Sequence, residues 1–404
     1  MKLLSFMKRI FIKIKKEGLS SFISLVVSKL TVIIKKRDIL QLESFISKKT
    51  FYSKTNIEFN KKTINWVVPN FIANGSGGHL NIFRMISNLE KLGFENRIII
   101  VENSHYLSGK EAKSVIEKNY LPPEYLPLKA EVSIGRDSFL PSEFTIATEW
   151  KTAYTVRDFQ STKYKCYFIQ DYEPNFYSPG SYSAFAENTY KFGFKGIISG
   201  AWIYDKLKKD FDMDCCSIGF SYDKKLYSIK NLERRKVFYY ARPETPRRGF
   251  ELGILALNEL KKKLENIEII LGGSDVYNFN IPFKYEGLGH IKVSELPNIY
   301  NTVKVALVLS FTNLSLLPYE LMACGASVVI NRGPSNEWGL NDSICSIVEA
   351  EPEKIADEIY NLLTNEEMRL KKANNALEFI NKTDWFEESK KVAEYLNKID
   401  SSKS

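Results

Sequence analysis

Four short stretches carry the side chains whose types and spacing could do chemistry. Residues 239–250 read YYARPETPRRGF, a strand end running through a proline-rich turn into a helix start. Arg242, Arg247 and Arg248 there bring three guanidinium groups beside a helix N-terminus, an arrangement suited to a diphosphate because Arg forks hold phosphate oxygens bidentately. The competing reading is a solvated basic turn. Residues 74–79 (NGSGGH) follow a strand and open a helix. Backbone amides at Gly77 and Gly78, with His79 next to them, could approach a phosphate or a sugar, although such a loop can also be only a tight turn. Residues 168–176 (FIQDYEPNF) end a strand with a polar cluster. Asp171 is the first candidate for contact with an acceptor hydroxyl and Glu173 the second. Residues 310–329 (SFTNLSLLPYELMACGASVV) lead from a polar loop into a helix bearing Glu320 and then into another strand.

These groups need a scaffold, and the apolar pattern supplies one. Residues 64–69 read as a buried strand, and Leu80, Ile82, Phe83, Ile86 and Leu89 mark one face of a helix that Gly93 stops. Residues 96–102 form a second apolar strand. Strand, loop, helix and strand make a βαβ unit, because parallel strands need such a crossover. Further strands are predicted at 144–147, 165–169 and 195–199. The alternation restarts near Arg235, with strands at 236–240, 267–271, 303–309 and 327–330, a helix over 249–264, and a helix beginning at Glu320. Two successive halves imply an α/β chain of two Rossmann-like domains facing across a cleft, with ligand at the carboxyl ends of the strands. The expected division is a basic helical extension over 1–60, an acceptor domain over 61–225, a donor domain over 226–380, and a final helix over 381–404 packed back on the first domain.

Composition narrows the partners. With 404 residues, 44% hydrophobic and 26% charged, the chain is long enough for two cores. Cys166, Cys215, Cys216, Cys324 and Cys345 are an odd number without metal-ligand spacing and read as reduced thiols. The net charge of +9 favours an anionic partner, and much of it lies in the first forty residues, from Lys2 to Arg37, interleaved with Leu3, Phe6, Ile10, Phe11 and Ile14. That is the pattern of a basic amphipathic helix lying on an anionic leaflet, or of a helical pair packed on the catalytic domain with a solvated basic face. The apolar run 19–34 is short and cut by Lys29, which argues against a membrane span. No nucleic-acid-binding motif accompanies the charge. Asp212-Met213-Asp214 matches a metal-binding DxD spacing, but it follows charged residues rather than a buried strand and reads as surface. No metal or cofactor is expected.

PYELMACGASVV resembles the donor-binding signature of family 4 retaining glycosyltransferases of the GT-B fold. The resemblance implies that Glu320 accepts hydrogen bonds from both ribose hydroxyls of a nucleotide. ARPETPRRGF is similar to the family's diphosphate segment, which puts Arg242 and one of Arg247 or Arg248 on the phosphates. Residues 295–300 (ELPNIY) resemble the element beside the base. The family usually has a second Glu eight positions before the helix Glu, where this chain has Thr312. Thr312 there implies a donor sugar with fewer hydroxyls to hold, or contact supplied instead by the backbone amides of Asn313, Leu314, Ser315 and Leu316. Together with FIQDYEPNF and residues 190–194 (YKFGF), this departure resembles the rhamnosyltransferase branch that uses dTDP-rhamnose and includes S-layer glycan enzymes. A deoxy sugar has one hydroxyl fewer to hold. The resemblance spans about residues 64–390 and implies transfer of a sugar from a nucleotide diphosphate to a surface polysaccharide or lipid-linked glycan, on the cytoplasmic face of the membrane. The alternative is a degenerate nucleotide-sugar-binding scaffold.

Overall fold

The computed structural model describes residues 39, 40, 42–55, 58–72, 77–101, 105–230 and 232–401. The basic segment 1–38, Asn74, Gly75 and Ser76 of the glycine loop, and Glu102 lie outside the described residues. By its contacts the chain divides into residues 1–49 and residues 50–404, and every strand described below belongs to the second unit.

The first half of that unit is a parallel sheet of β1 (Thr63–Val68), β2 (Glu95–Ile100), β3 (Glu131–Ile134), β4 (Ser142–Ala147), β5 (Thr162–Ile169), β6 (Lys195–Ser199) and β7 (Cys215–Ile218). Their order across the sheet is β3-β2-β1-β4-β5-β6-β7. The second half is a parallel sheet of β8 (Lys236–Tyr240), β9 (Ile269–Gly272), β10 (Glu286–Gly289), β11 (Val303–Val308), β12 (Ser327–Asn331) and β13 (Ser346–Val348), in the order β10-β9-β8-β11-β12-β13. Each sheet reverses its winding once, between β1 and β4 and between β8 and β11. A crevice opens at such a reversal because the flanking loops leave toward opposite faces of the sheet.

Both faces of both sheets are covered, which is why the strands read as unbroken apolar runs. Ile64, Trp66 and Val68 belong to one core and Val67 to the core on the opposite face. Phe238 and Val237 divide the same way in the second sheet. Each fully buried aliphatic or aromatic side chain contributes about 1.5–3 kcal/mol before chain entropy is subtracted.

Five helices set the positions of the polar groups. Helix α1 (Gly77–Lys91) is buried almost all round from Leu80 to Glu90. Helix α2 (Trp150–Asp158) begins at Glu149, which forms a capping box with Thr152. Helix α3 (Phe250–Lys263) starts after Gly249, whose φ of 61° places it in the left-handed region that favours glycine. Gly253 lets α3 lie directly on β8, since a Cβ there would fall 2.1 Å from the Tyr239 ring. Helix α4 (Leu317–Ala323) begins three residues before the predicted start at Glu320. Pro318 explains the difference: proline lacks an N–H and has a helical φ, so it belongs in a first turn. Helix α5 (Trp385–Ser401) returns to the first half, where Val392, Leu396 and Ile399 join the core on one face of its sheet.

Candidate active site

The loops at the two winding reversals meet over one cavity of about 470 Å³. From the first half come Gly77, Gly78 and His79 after β1, Thr148 and Glu149 after β4, and Gln170, Asp171 and Glu173 after β5. From the second come Arg242, Arg247 and Arg248 after β8, and Leu314, Ser315, Leu316 and Glu320 after β11. Glu320 and Arg242, which the sequence assigns to one ligand, therefore line the same space.

On the second half each arginine has a distinct footing. Arg242 Nε donates to Glu244 Oε1 at 2.5 Å and Nη1 to the Tyr240 hydroxyl at 3.0 Å. Ser274 donates in turn to Glu244. Arg248 Nη1 donates to Ser310 Oγ at 2.9 Å. Arg247 has its guanidinium 4.0 Å from the centre of the Phe176 ring, and its Nε, buried, has no hydrogen-bond partner among the described residues. Burial and the two neighbouring arginines work against its positive charge, while Asp171 supports it. Ser315 Oγ is likewise buried without a partner among the described residues. Such convergent, unsatisfied donors are what an anionic oxygen-rich ligand would complete.

Glu320 sits at the start of α4 with its carboxyl pushed up to about 7, first by burial and then by Asp223, against the opposing pull of Arg84 and the neighbouring Tyr227. Arg84 and Asp223 form a bidentate pair, Nε to Oδ1 at 3.2 Å and Nη2 to Oδ2 at 2.6 Å. Arg84 Nη1 also donates to Asn81 Oδ1 at 2.5 Å, and Asn81 lines the cavity. Nothing in local spacing links residues 84 and 223, so neither was expected to act here.

The first half departs from expectation in several places. Asp171 faces the arginines: its Oδ2 accepts from Thr312 Oγ1 at 2.9 Å and lies 3.7 Å from Arg247 Nε. Burial raises its pKa, with Arg248 and Arg247 opposing. Glu173 lines the same cavity but is held by Trp150 N at 2.6 Å and the Tyr167 hydroxyl at 2.8 Å. Burial, then Glu149, raises its pKa well above the usual range. Its position braces the loop after β5 rather than offering a free acceptor contact. The His79 imidazole is packed near Phe71, Phe83 and Tyr120, and burial lowers its pKa to about 4, leaving it neutral. Thr312 and Asn313, expected on the donor sugar, are buried and do not line the cavity. Asn313 Nδ2 instead donates to Gln170 O at 2.8 Å and Ser199 O at 3.0 Å, and Trp338 Nε1 donates to its Oδ1 at 3.0 Å. These two residues tie the halves together. Tyr167 and Tyr172, on either side of Gln170 and Asp171, are core residues, and Phe176 lies under Arg247.

Other lining residues were not singled out in advance. Glu149 occupies a strand-end position like that of Asp171, and the same reasoning could have found it. His290 also lines the cavity, beside Leu296. Asp212 caps the helix Ala201–Phe211 in a left-handed conformation, and Asp214 pairs with Lys195 at 2.5 Å. The DxD letters therefore fall on a surface turn outside the cavity lining.

Comparison with known proteins agrees with this architecture. Residues 130–199 match the family described as the WsaF N-terminal domain and residues 235–360 the WsaF C-terminal domain. The O-antigen biosynthesis protein RfbC of Myxococcus xanthus is 32% identical over 268 residues, covering 64% of this chain and 21% of that protein. The chain thus spans about a fifth of that relative's length. Among solved structures, sucrose-phosphate synthase of Thermosynechococcus elongatus superposes with a TM-score of 0.65 at 11% identity, over 85% of this chain and 100% of that one. Anabaena HepE, in complex with UDP and glucose, gives 0.64 at 13% identity, over 83% and 100%. Asp171 and Glu173 lie inside the first matched segment and the arginines and Glu320 inside the second, so the chain has the GT-B fold of two Rossmann-like halves and is similar to WsaF in both.

Proposed function

We propose that this chain moves a sugar, read as rhamnose from dTDP-rhamnose, from a nucleotide diphosphate to a growing surface polysaccharide or lipid-linked glycan. In this reading residues 226–380 hold the donor and residues 61–225 the acceptor. The observation that carries it is the convergence of Glu320 and three arginines on one cavity with Asp171 opposite. Sugar transfer needs the departing diphosphate stabilised as positive charge builds at the anomeric carbon, and fixed cations in a partly dry cleft supply that stabilisation. Arg242, braced by Glu244 and Tyr240, is preorganised for the task, and Arg247 has a donor without a partner among the described residues. Because guanidinium groups furnish the charge, the reaction is read as metal-independent. The relative's name points to O-antigen assembly, and WsaF is an S-layer rhamnosyltransferase. The deoxy sugar rests on the resemblance to the rhamnosyltransferase branch, since Thr312 itself is buried and does not line the cavity.

Binding and turnover over a panel of dTDP-, UDP- and GDP-sugars tests this directly, with dTDP-rhamnose expected to be preferred. Glu320→Ala, which removes two charge-assisted hydrogen bonds to ribose, should weaken dTDP binding by about 10- to 100-fold in calorimetry. Arg242→Ala should act in the same direction while leaving the fold intact. Unchanged affinity in both variants would remove the donor-site assignment, and a wild type that turns over none of the donors would favour a binding scaffold.

No helix among the described residues is long and apolar enough to cross a membrane. Attachment is instead read as peripheral, through the basic stretch 1–40 on an anionic leaflet. Deleting those residues should abolish cosedimentation with anionic liposomes; equal cosedimentation of the truncated chain would retire the idea.

A further inference from the structure

Resting on that reading of the cavity, we propose that Asp171 occupies the diphosphate's place on Arg247 before the donor binds and is displaced when it arrives. Donor binding then comes first and delivers the carboxylate to the acceptor hydroxyl.

The geometry is one of an incomplete pairing. Arg242 is held by Glu244 and Tyr240, and Arg248 by Ser310, whereas Arg247, besides its contact with the Phe176 ring, has among the described residues an ion pair with Asp171 at 3.7 Å, too long for a hydrogen bond. Its Nε is buried without a hydrogen-bond partner among the described residues, an unfavourable state for a charged donor. A phosphate oxygen at ordinary hydrogen-bond distance would satisfy this donor, and Asp171 as placed does not. Asp171 itself is held by Thr312 Oγ1 and by the Tyr172 amide, which donates to Oδ1 at 2.9 Å. Burial raises its pKa in spite of two nearby arginines, so its charge is not fully compensated where it sits.

A diphosphate and a carboxylate cannot both lie against one guanidinium without repelling each other at short range. The mobile partner is the side chain, which has only to swing away from Thr312 to remain in the cavity. There it faces the space opposite the phosphates, where an acceptor hydroxyl would donate to it. The preceding residue, Gln170, is tied through its carbonyl to Asn313 of the other half, so the exchange takes place at a contact that joins the two halves.

Calorimetry with dTDP and with UDP tests the proposal. Asp171→Asn keeps the shape and removes the competing charge, so it should bind either probe about fivefold more tightly than wild type. In turnover its donor KM should fall while kcat also falls, a split that structural damage would not give. Thr312→Val, which releases the side-chain hydrogen bond that holds Asp171 Oδ2, should also tighten binding. In an Arg247→Met background the Asp171→Asn gain should vanish. Equal or weaker binding in both single variants, or a gain that persists without Arg247, would overturn the exchange while leaving the donor site standing. Wild type that binds neither probe would overturn the nucleotide reading itself, and this inference with it.

Discussion

Glu320 sets its own requirement on pH. To accept hydrogen bonds from two hydroxyls it must be ionised, yet burial and Asp223 push its pKa to about 7, with Arg84 and Tyr227 pulling the other way. A carboxyl whose folded pKa exceeds its unfolded one contributes stability that is present below the unfolded value and lost as pH rises through the folded value. For Glu320 that window runs from the ordinary Glu range up to about 7. Binding follows the opposite sign, because only the ionised form grips the ligand. Nucleotide affinity should therefore climb as pH rises through about 7, while Glu320→Gln should bind weakly and lack that limb apart from the ligand's own titration. The same variant should raise the thermal midpoint above pH 7, where the wild-type group is charged and buried. A limb that survives in Glu320→Gln would assign the titration to another group.

At the scale of elements, what the sequence disclosed depended on burial. The strands at 195–199 and 236–240 coincide with β6 and β8, because both faces of a central strand are covered and the run is apolar throughout. The four strands that went unpredicted, β3, β7, β10 and β13, are the two edges of each sheet. They are three or four residues long and largely half-exposed, so neither an apolar run nor a clean alternation marks them. The site shows the same division. Arg242, Arg247, Arg248 and Glu320 were legible because each lies at a strand end or helix start with a recognisable local pattern. Thr312 and Asn313 lie in the same loop, but which way a loop side chain turns is decided by the other half of the molecule. Their partners Asp171, Gln170 and Ser199 are more than a hundred residues away.

Across the whole molecule, the pair least visible in the sequence does the most joining. Arg84 stands on α1, Asp223 on the segment between the two sheets, and Trp385, whose ring centre lies 4.4 Å from the Arg84 guanidinium, on the returning helix α5. The side chains of Arg84 and Asp223 are 2% and 1% exposed, so each is charged in a place where it could not stand alone. Tyr125 adds a hydrogen bond to Asp223 Oδ1 at 3.1 Å. Removing one partner strands the other, and a buried pair broken in that way typically costs about 3–5 kcal/mol. Arg84→Met should therefore lower the urea midpoint sharply. The double variant Arg84→Met with Asp223→Leu removes the stranded charge as well and should recover part of the loss, since well-packed apolar side chains can replace a buried ion pair at little net cost. If the second substitution instead deepens the loss, the pair is not what joins α1, the connecting segment and α5, and apolar contacts such as Val392 and Leu396 must hold the returning helix in its place.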